Sequence, residues 1–394
     1  MSSTKKWLSV TNGLILFFAL NALLYLFIVQ FNQKVEFNKY NYLYNAHHFL
    51  EDPRVNGGKF NLFRALGQYD SQWYLKIASF GYPKNPSPPD INNKSEMGGA
   101  TFAFFPLYPI FLSLINILVK NIEVSAFLLS NISLIANFIS LTYIVGKLYK
   151  FSLALKTAFL LFLFPFGIFF RSYYPESLLL LFLTWFSFFL IKKNFLASSI
   201  FLSLMNVTKG NLLLLNFVFF YFLYRNFKKQ GGLYSKYLIT ILVVIIPFSS
   251  WIIFNYLKTG NPIYFYTTQG VWYGNTFPGP LLTIYSVFNF PRLPFHSFHF
   301  SQVEIIVMLT LLVLLIKSKK YLLKELWFIS FFIWLAPLFL RDTMSFTRYQ
   351  SISFPLFIYL AYSLKGKAYW MVAGLFFVGL FITSLFFVNW YWVG

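Results

Sequence analysis

The 394-residue chain contains no cysteine, which excludes disulfides and thiolate metal sites whatever compartment it occupies. Charge is also scarce, because Asp, Glu, Lys and Arg together make up only 11% of the residues. Against 58% hydrophobic residues, that is too little polar material to cover the two or three soluble domains this length would otherwise suggest. Acid is the scarcer sign, with 11 acidic residues against 32 basic and a net charge of +21. In a soluble protein such an excess would raise nucleic acid as a partner. Here the basic residues mostly lie between apolar runs, so their first task is orientation in a bilayer and no nucleic acid is expected. No GxGxxG and no P-loop is present, so no nucleotide site is visible. Heptads, a solenoid period and a low-complexity domain are absent as well.

What the chain has in quantity is aromatic surface, 54 Phe, 27 Tyr and 10 Trp, within apolar runs that recur from Trp7 to the C-terminus. This is the pattern of an all-α polytopic membrane protein, a single integral membrane domain over 1–394. A helix needs about 20 apolar residues to cross the hydrocarbon. The candidate crossings are 9–29, 124–146, 157–170, 177–191, 195–209, 211–224, 237–257, 302–316, 325–340, 351–364 and 369–391, with a shorter segment at 102–119. Lys5 and Lys6 precede the first run and no small-residue cleavage site follows it, so it reads as an uncleaved signal anchor.

Charge sets the orientation. Lys5 and Lys6; Lys147, Lys150 and Lys156; Lys192 and Lys193; Arg225, Lys228, Lys229 and Lys236; Lys317, Lys319, Lys320 and Lys324; and Lys365 with Lys367 all fall on one face when that face is taken as cytoplasmic. Glu325 is the one acid that joins them, and the other ten fall on the opposite face. This register requires 102–119 to dip in and return or to be a partial helix, because a full crossing there would reverse every later loop. The outer face then holds a long first loop at about 30–101, a second long loop at about 258–301, and short loops near 171–176, 209–210 and 341–350. Nearly all potentially chemical side chains lie in these segments, and loops of such length are usually functional.

In the first loop, the stretch from Asp70 suits a short amphipathic helix: Asp70 or Ser71 can cap it, Trp73, Tyr74 and Ile77 keep helical spacing, and Gly81 with Pro83 ends it. Asp70 is either that cap or a general base facing a membrane-level pocket. Glu51 and Asp52 precede Pro53 and a Gly-rich stretch, and read as turn residues. Lys209, Arg348, Arg171 and Arg341 are the basic residues beside outer helix ends, where the alternatives are binding a phosphate or snorkelling to headgroups. Lys209 interrupts a continuous apolar stretch and is followed by Gly210, Arg348 is followed by Tyr349, and Arg171 has Glu176 as an alternative partner. Glu176 adjoins an apolar span, as a helix-dipole partner or as a group positioning an acceptor. His296 and His299 have i, i+3 spacing but no local third ligand, and His47 and His48 are weaker still. The sequence requires no metal, and a Mg²⁺ or Mn²⁺ held by Asp70 and a donor phosphate is compatible with it, although no DxD pair occurs.

The stretch Tyr69-Asp70-Ser71-Gln72-Trp73-Tyr74-Leu75-Lys76-Ile77-Ala78 with Gly81-Tyr82 resembles the signature of the PIG-V type of mannosyltransferases, which includes the second GPI mannosyltransferase and its prokaryotic relatives. Phe104-Phe105-Pro106-Leu107-Tyr108-Pro109 resembles that family's FFPLYP segment, and Tyr173-Tyr174-Pro175-Glu176-Ser177 its YTES motif with Pro175 in place of Thr. Arg348-Tyr349 followed by Phe354-Pro355-Leu356-Phe357 is similar to its RY and FPLF segment, and Thr208-Lys209-Gly210-Asn211 carries Lys where the family has an Arg-containing TR segment. The resemblance implies a GT-C glycosyltransferase fold with about 11 transmembrane helices, a polyprenyl-phosphate sugar donor, and an acid in the first outer loop as base, a role only Asp70 matches.

The chemistry is consistent with that implication. Moving a glycosyl group from a lipid phosphate to a hydroxyl needs a base for the proton, here Asp70, and cations for the departing phosphate, here Lys209, Arg348 and Arg171. Gln68, Trp73, Tyr74, Tyr108, Glu176 and Tyr349 are the expected substrate pocket, with the polyprenyl tail in apolar grooves between helices. The expected protein is therefore an inverting, lipid-linked mannosyltransferase acting on a glycolipid or glycan acceptor. Its active site would face outward from a prokaryotic cell membrane, or the lumen of the endoplasmic reticulum in a eukaryote. A transporter, a flippase, or a relative that binds lipid-linked glycans without catalysis is the alternative, with polar groups near the bilayer midplane as its mark.

Overall fold

A backbone removed from water must satisfy its N–H and C=O groups within its own segment, so the apolar runs form helices. The computed structural model describes residues 3–45, 49–86, 98–230, 234–270, 279–289, 301–339 and 345–394. The first half of the chain forms α1 Ser3–Phe31, α2 Lys39–Asn45, α3 Leu62–Leu66, α4 Asp70–Phe80, α5 Leu107–Val119, α6 Ile122–Leu148, α7 Phe151–Leu163, α8 Glu176–Ile191 and α9 Phe195–Asn206. The second half forms α10 Leu215–Gln230, α11 Tyr234–Thr259, α12 Tyr264–Thr267, α13 Gly279–Asn289, α14 Ser301–Ser318, α15 Lys324–Leu335, α16 Phe346–Gln350, α17 Phe354–Ser363 and α18 Lys367–Val388. Helix accounts for 79% of the structure and no strand occurs among the described residues, so the architecture is all-α.

Four segments, Val10–Lys34, Ile122–Leu148, Tyr234–Thr259 and Lys367–Val388, are long and apolar enough to cross a membrane. Shorter apolar helices, α5, α7, α8, α9 and α17, accompany them, an arrangement compatible with a multi-pass membrane protein. Several expected crossings are interrupted. The run at 157–170 becomes α7 and a separate 3₁₀ turn, Gly167–Phe170, and the run at 325–340 becomes α15 and the 3₁₀ turn Ala336–Phe339. Pro165 and Pro337 lie at these breaks, each lacking the N–H that would continue the helix and crowding the carbonyl four residues back. The run at 369–391 stops at Val388, and the residues after it leave the helix.

The loops grouped by charge do meet. Tyr149 stacks on Tyr321 at 5.6 Å and Tyr321 on Tyr362 at 3.6 Å, Tyr369 donates its hydroxyl to the Lys156 carbonyl at 3.2 Å, and Lys324 donates to the Tyr221 hydroxyl at 3.3 Å. These contacts gather four of the six basic clusters, those at 147–156, 225–236, 317–324 and 365–367, at one end of the bundle. The 27-residue α6 spans from there to the other end, where Glu123 in its first turn pairs with Arg64 of α3 at 3.1 Å. Its start is fixed by Asn121, whose side-chain oxygen accepts the Glu123 and Val124 N–H groups at 3.1 Å.

At that second end α5 lies along α4. Its 13 residues span about 20 Å, short of the roughly 30 Å hydrocarbon thickness, and Tyr108 packs edge-on against Tyr74 while Ser113 donates to the Ala78 carbonyl at 2.7 Å. This helix falls within the stretch 102–119, which the charge register requires to dip in and return or to be a partial helix. Lipid tails are as apolar as leucine, so close packing and interhelical hydrogen bonds must hold such helices together. Asn137 of α6 donates to the Ser177 carbonyl of α8 at 2.6 Å, Trp185 of α8 to Ser140 at 3.2 Å, and Phe17 of α1 stacks on Phe138 at 4.5 Å.

Candidate active site

The end of the bundle that carries α4 also carries a cluster of four charges. Asp70 is the first residue of α4, and the residue before it, Tyr69, has φ 52 and ψ −122, a conformation L side chains rarely adopt and one that costs about 1–3 kcal/mol. The surroundings hold it there. The Tyr69 hydroxyl accepts from Asn41 Nδ2 at 2.7 Å, and its ring packs against Trp390 and Trp392 at centroid distances of 5.1 and 5.0 Å. Tyr69 holds the N-cap position and no side chain caps α4, so the expected capping role of Asp70 or Ser71 is not the one realised. Gly81 (φ 73) ends the helix as expected, its N–H donating to the Ile77 carbonyl at 2.8 Å.

Asp70 instead accepts through Oδ2 from Nη1 of Arg348 at 2.7 Å. Arg348 lies in α16, and its Nε donates to Glu176 Oε1 at 2.5 Å. The same Glu176 oxygen accepts from Lys209 Nζ at 2.7 Å. Residues far apart in sequence therefore form a single chain, Asp70–Arg348–Glu176–Lys209, of two carboxylates and two cations with no net charge. Its middle is buried and its ends are more exposed: the Arg348 and Glu176 side chains are 2% exposed, Lys209 is 13% and Asp70 is 32%. Asp70 Oδ1 has no hydrogen bond among the described residues, so the chain terminates in an open carboxylate oxygen. Within the chain, Glu176 Oε2 is buried and likewise lacks a partner among the described residues.

Backbone and neutral side chains fix each member. Ser130 of α6 donates to the Ser172 carbonyl at 2.8 Å and Ser177 to the Phe170 carbonyl at 2.6 Å, which sets the turn that starts α8 at Glu176. Tyr174 in that turn donates to the Gln68 carbonyl at 3.1 Å, and its ring lies 4.3 Å from the Arg348 guanidinium. Ser345, with φ 73, starts α16, and Gln350 ties it to the Ile333 carbonyl at 3.1 Å. Lys209 sits in the connection after α9, over the Tyr349 ring at 4.5 Å. The glycine that follows it packs closely, because a Cβ at Gly210 would fall 3.0 Å from Phe105 Cζ and the ring would have to shift by a few tenths of an ångström. Burial and the nearby Arg348 guanidinium lower the Lys209 ammonium to about 8, against the opposing pull of Glu176.

Of the residues expected at the site, Asp70, Arg348, Lys209, Glu176 and Tyr349 are brought together. Tyr74 and Tyr108 pack edge-on at 5.1 Å beneath α4, and Trp73 stacks on Phe104 at 5.6 Å, so these rings form the floor of α4. Gln68 is fully buried and its amide donates to the Val388 carbonyl at 3.0 Å, a support of the loop. Arg171 does not join the cluster. Its guanidinium donates to Asn21 Oδ1 and the Gly167 carbonyl, both at 2.7 Å, and to the Phe162 carbonyl at 3.3 Å. It is 2% exposed within the bundle, bound to neutral acceptors, and Glu176 takes Lys209 and Arg348 in its place. Asp52 is the turn residue expected, accepting the Arg54 N–H at 3.1 Å and pairing with its guanidinium at 2.7 Å. His47, His48, His296, His299 and Arg341 lie outside the described residues.

Among the described residues no group of three or more His, Asp and Glu side chains could hold a metal ion. Asp70 and Glu176 are each tied to Arg348, a donor set that does not fit a divalent ion held by the protein alone. Compared with known proteins, the chain matches no family model, and no significant match occurs among curated proteins or solved structures.

Sequence reasoning missed the last segment of the chain. Asn389-Trp390-Tyr391 read as the end of the crossing 369–391, yet the segment from Asn389 to Trp392 folds back across the loop before α4. The Val388 carbonyl accepts from Gln68 and, at 2.6 Å, from Arg54, and the Trp390 carbonyl accepts from Asn41 at 2.6 Å. Two tryptophans separated by one tyrosine were the only available signal, and apolar content concealed it.

Proposed function

We propose that the protein is an inverting glycosyltransferase of the GT-C kind that moves a hexose, mannose by the family resemblance, from a polyprenyl-phosphate donor to a hydroxyl of a glycolipid or glycan acceptor. The reaction would take place on the extracytoplasmic side of a cell membrane. The observation that carries this reading is the Asp70 carboxylate, partly exposed at one end of the bundle, with Oδ2 fixed by a buried guanidinium and Oδ1 open. A general base needs that combination of accessibility and fixed direction.

In the proposed step, Asp70 Oδ1 takes the proton of the acceptor hydroxyl as its oxygen bonds to the anomeric carbon on the face opposite the phosphate. The bond between the anomeric carbon and the phosphate oxygen breaks, and its electron pair leaves with the polyprenyl phosphate. The configuration inverts, and Asp70 later gives its proton to water. Arg348 and Lys209 supply positive charge beside the carboxylate; since both already face Glu176, they act as a preorganised polar wall.

A neutral network of buried charge is also what a transporter or flippase of lipid-linked glycans carries, and that is the second reading. Purified protein supplied with polyprenyl-phosphate mannose and a panel of glycolipid acceptors separates the two. Formation of a mannosylated product supports the transferase, movement of donor across proteoliposomes without product supports the alternative, and neither event counts against both.

A further inference from the structure

At the lysine-rich end of the bundle, the seam between α10 and α15 sets two cations against one tyrosine. The helices run antiparallel there and meet in steps of one turn: Phe217 stacks on Phe332 at 6.2 Å, and four residues further along each helix Tyr221 packs on Phe328 at 5.7 Å. The next step brings Arg225 of α10 toward Lys324 of α15. The Arg225 guanidinium lies 5.8 Å and the Lys324 ammonium 5.6 Å from the same Tyr221 ring, and Lys324 donates to the Tyr221 hydroxyl at 3.3 Å. Neither cation pairs with a carboxylate among the described residues. Glu325, the acid next in sequence to Lys324, is displaced about 100° round α15 from it and bears on Tyr149, whose hydroxyl accepts the Leu323 N–H at 3.2 Å.

Two cations also share a ring within the charge chain, where Lys209 lies 4.5 Å and Arg348 5.8 Å from Tyr349, and there Glu176 receives both. At Tyr221 no described carboxylate plays that part, so the mutual repulsion of Arg225 and Lys324 favours an anion from outside the chain. The groups are accessible, since Tyr221, Arg225 and Lys324 are all exposed. A lone cation on a lone ring, such as Lys192 at 5.9 Å from Phe188, is accounted for by snorkelling; convergence from two helices is not. Beyond the cations the seam is apolar and open, with Phe217 65% exposed. From Arg225 to Phe217 α10 rises about 12 Å, close to the roughly 15 Å depth of one leaflet of the hydrocarbon. The matching ligand has a phosphate at one end and an acyl chain of leaflet length. A zwitterionic headgroup would bring its own cation toward Lys228 and Lys229, exposed in the last turn of α10, whereas an anionic one would not.

We infer that the seam between α10 and α15 binds an anionic phospholipid, its phosphate held by Arg225 and Lys324 and its acyl chain lying along Phe328, Phe332 and Phe217. The Tyr221 hydroxyl accepts from Lys324 and keeps its own proton to donate to the same phosphate. This site lies at the opposite end of the bundle from Asp70 and does not depend on the transferase reading.

The test is native mass spectrometry of the full chain in detergent, titrated with phosphatidylglycerol and with phosphatidylcholine of the same dioleoyl chains. A basic group near a bilayer surface favours an anionic lipid by about 5-fold, so removing both in the double variant Arg225→Gln, Lys324→Gln should raise the phosphatidylglycerol Kd roughly 10- to 30-fold and leave that of phosphatidylcholine within about twofold. Tyr221→Phe should raise the first by about 3-fold, the effect of one hydrogen bond. The control is Lys192→Gln with Lys193→Gln, which removes two exposed cations that share no ring with a second helix, and it should bind as the wild type does. Should the double variant not elute as a single peak, Arg225→Gln alone decides, with about 5-fold expected. Equal wild-type affinity for the two lipids overturns the inference, as does an unchanged phosphatidylglycerol Kd in the double variant. Equal weakening in the control overturns it too, because surface charge in general would then be responsible. If glycerophosphoglycerol, the headgroup without chains, competes as well as the intact lipid, the aromatic seam plays no part and the assignment to a lipid fails.

Discussion

Glu176 Oε1 receives both Arg348 Nε, at 2.5 Å, and Lys209 Nζ, at 2.7 Å, so one carboxylate oxygen holds two cations from different parts of the chain. Arg348 is in turn the only described link between Glu176 and Asp70 in the chain of ion pairs. The consequences for activity and for stability fall on different members of this group.

Asp70→Asn keeps an oxygen that can accept from Arg348 and removes the basic carboxylate. Glycosyl transfer should fall by about 10²- to 10⁴-fold, the usual contribution of a positioned general base. Elution of the detergent-extracted protein as a single symmetrical peak should be unchanged. A variant that retained more than a tenth of wild-type turnover would remove Asp70 from the role of base.

Glu176→Ala should act mainly on folding. It leaves Arg348 with only the partly exposed Asp70 and Lys209 without its carboxylate, and breaking a buried pair in this way costs about 3–5 kcal/mol. Glu176→Gln, which retains an acceptor, should be milder. Thermal unfolding in detergent should order the proteins wild type, Gln, Ala; equal midpoints would mean that the pairs contribute nothing to stability. For the same reason Arg348→Lys is a more informative change than truncation to Ala, since it retains one positive charge beside Glu176.

Lys209 lies outside the helical spans, and its ammonium is lowered from 10.5 to about 8 by burial and by Arg348. Raising the pH through 8 removes one positive charge and leaves the four-residue group net negative, so donor KM should climb about tenfold per unit on the alkaline side. Lys209→Arg should move that limb beyond the accessible range. Stability should run the other way: between about 8 and 10.5 the unfolded chain binds the proton that the folded site has lost, so this group's contribution to folding stability rises with pH across that window. A pH–rate profile of the arginine variant that overlays the wild type would show that Lys209 does not set the alkaline limb.

The absence of native cysteine makes topology directly measurable. Single cysteines at Lys84, near the charge chain's end of the bundle, and at Lys150, among the lysine-rich connections, are both at exposed positions. A membrane-impermeant maleimide applied to intact cells should label the first and spare the second. Labelling of both from outside would break the inside-positive register on which the sidedness of the proposed reaction depends.

Much of the fold was legible because its determinants are local. Apolar runs gave the helices, several basic clusters lie on connections that meet, and the stretch 102–119 was recognisable as a shorter apolar segment. The interruptions at Pro165 and Pro337 were legible in principle, since proline is visible in the sequence, but apolar content on both sides made each run look continuous. The charge cluster was legible in part of its membership, Arg171 excepted, and not in its wiring. Asp70, Glu176, Lys209 and Arg348 all stood out as costly residues beside apolar spans, yet no spacing rule indicates that Glu176 serves both cations while Arg171 turns inward to Asn21 and two carbonyls. The fold-back of Trp390 and Trp392 was invisible for the opposite reason, as nothing in their composition distinguishes a segment that folds back from the end of a span.

The four charges cancel one another inside the protein, and the two at the centre are almost entirely withheld from solvent. Mobile ions screen exposed charges over about 8–10 Å but reach buried pairs poorly. Sodium chloride in the bathing buffer should therefore weigh on the lysine fringe at the opposite end of the bundle and on the partly exposed Asp70, and leave the Arg348–Glu176 pair nearly untouched, so that the middle of the charge chain tolerates ionic strength where the rest of the surface is sensitive.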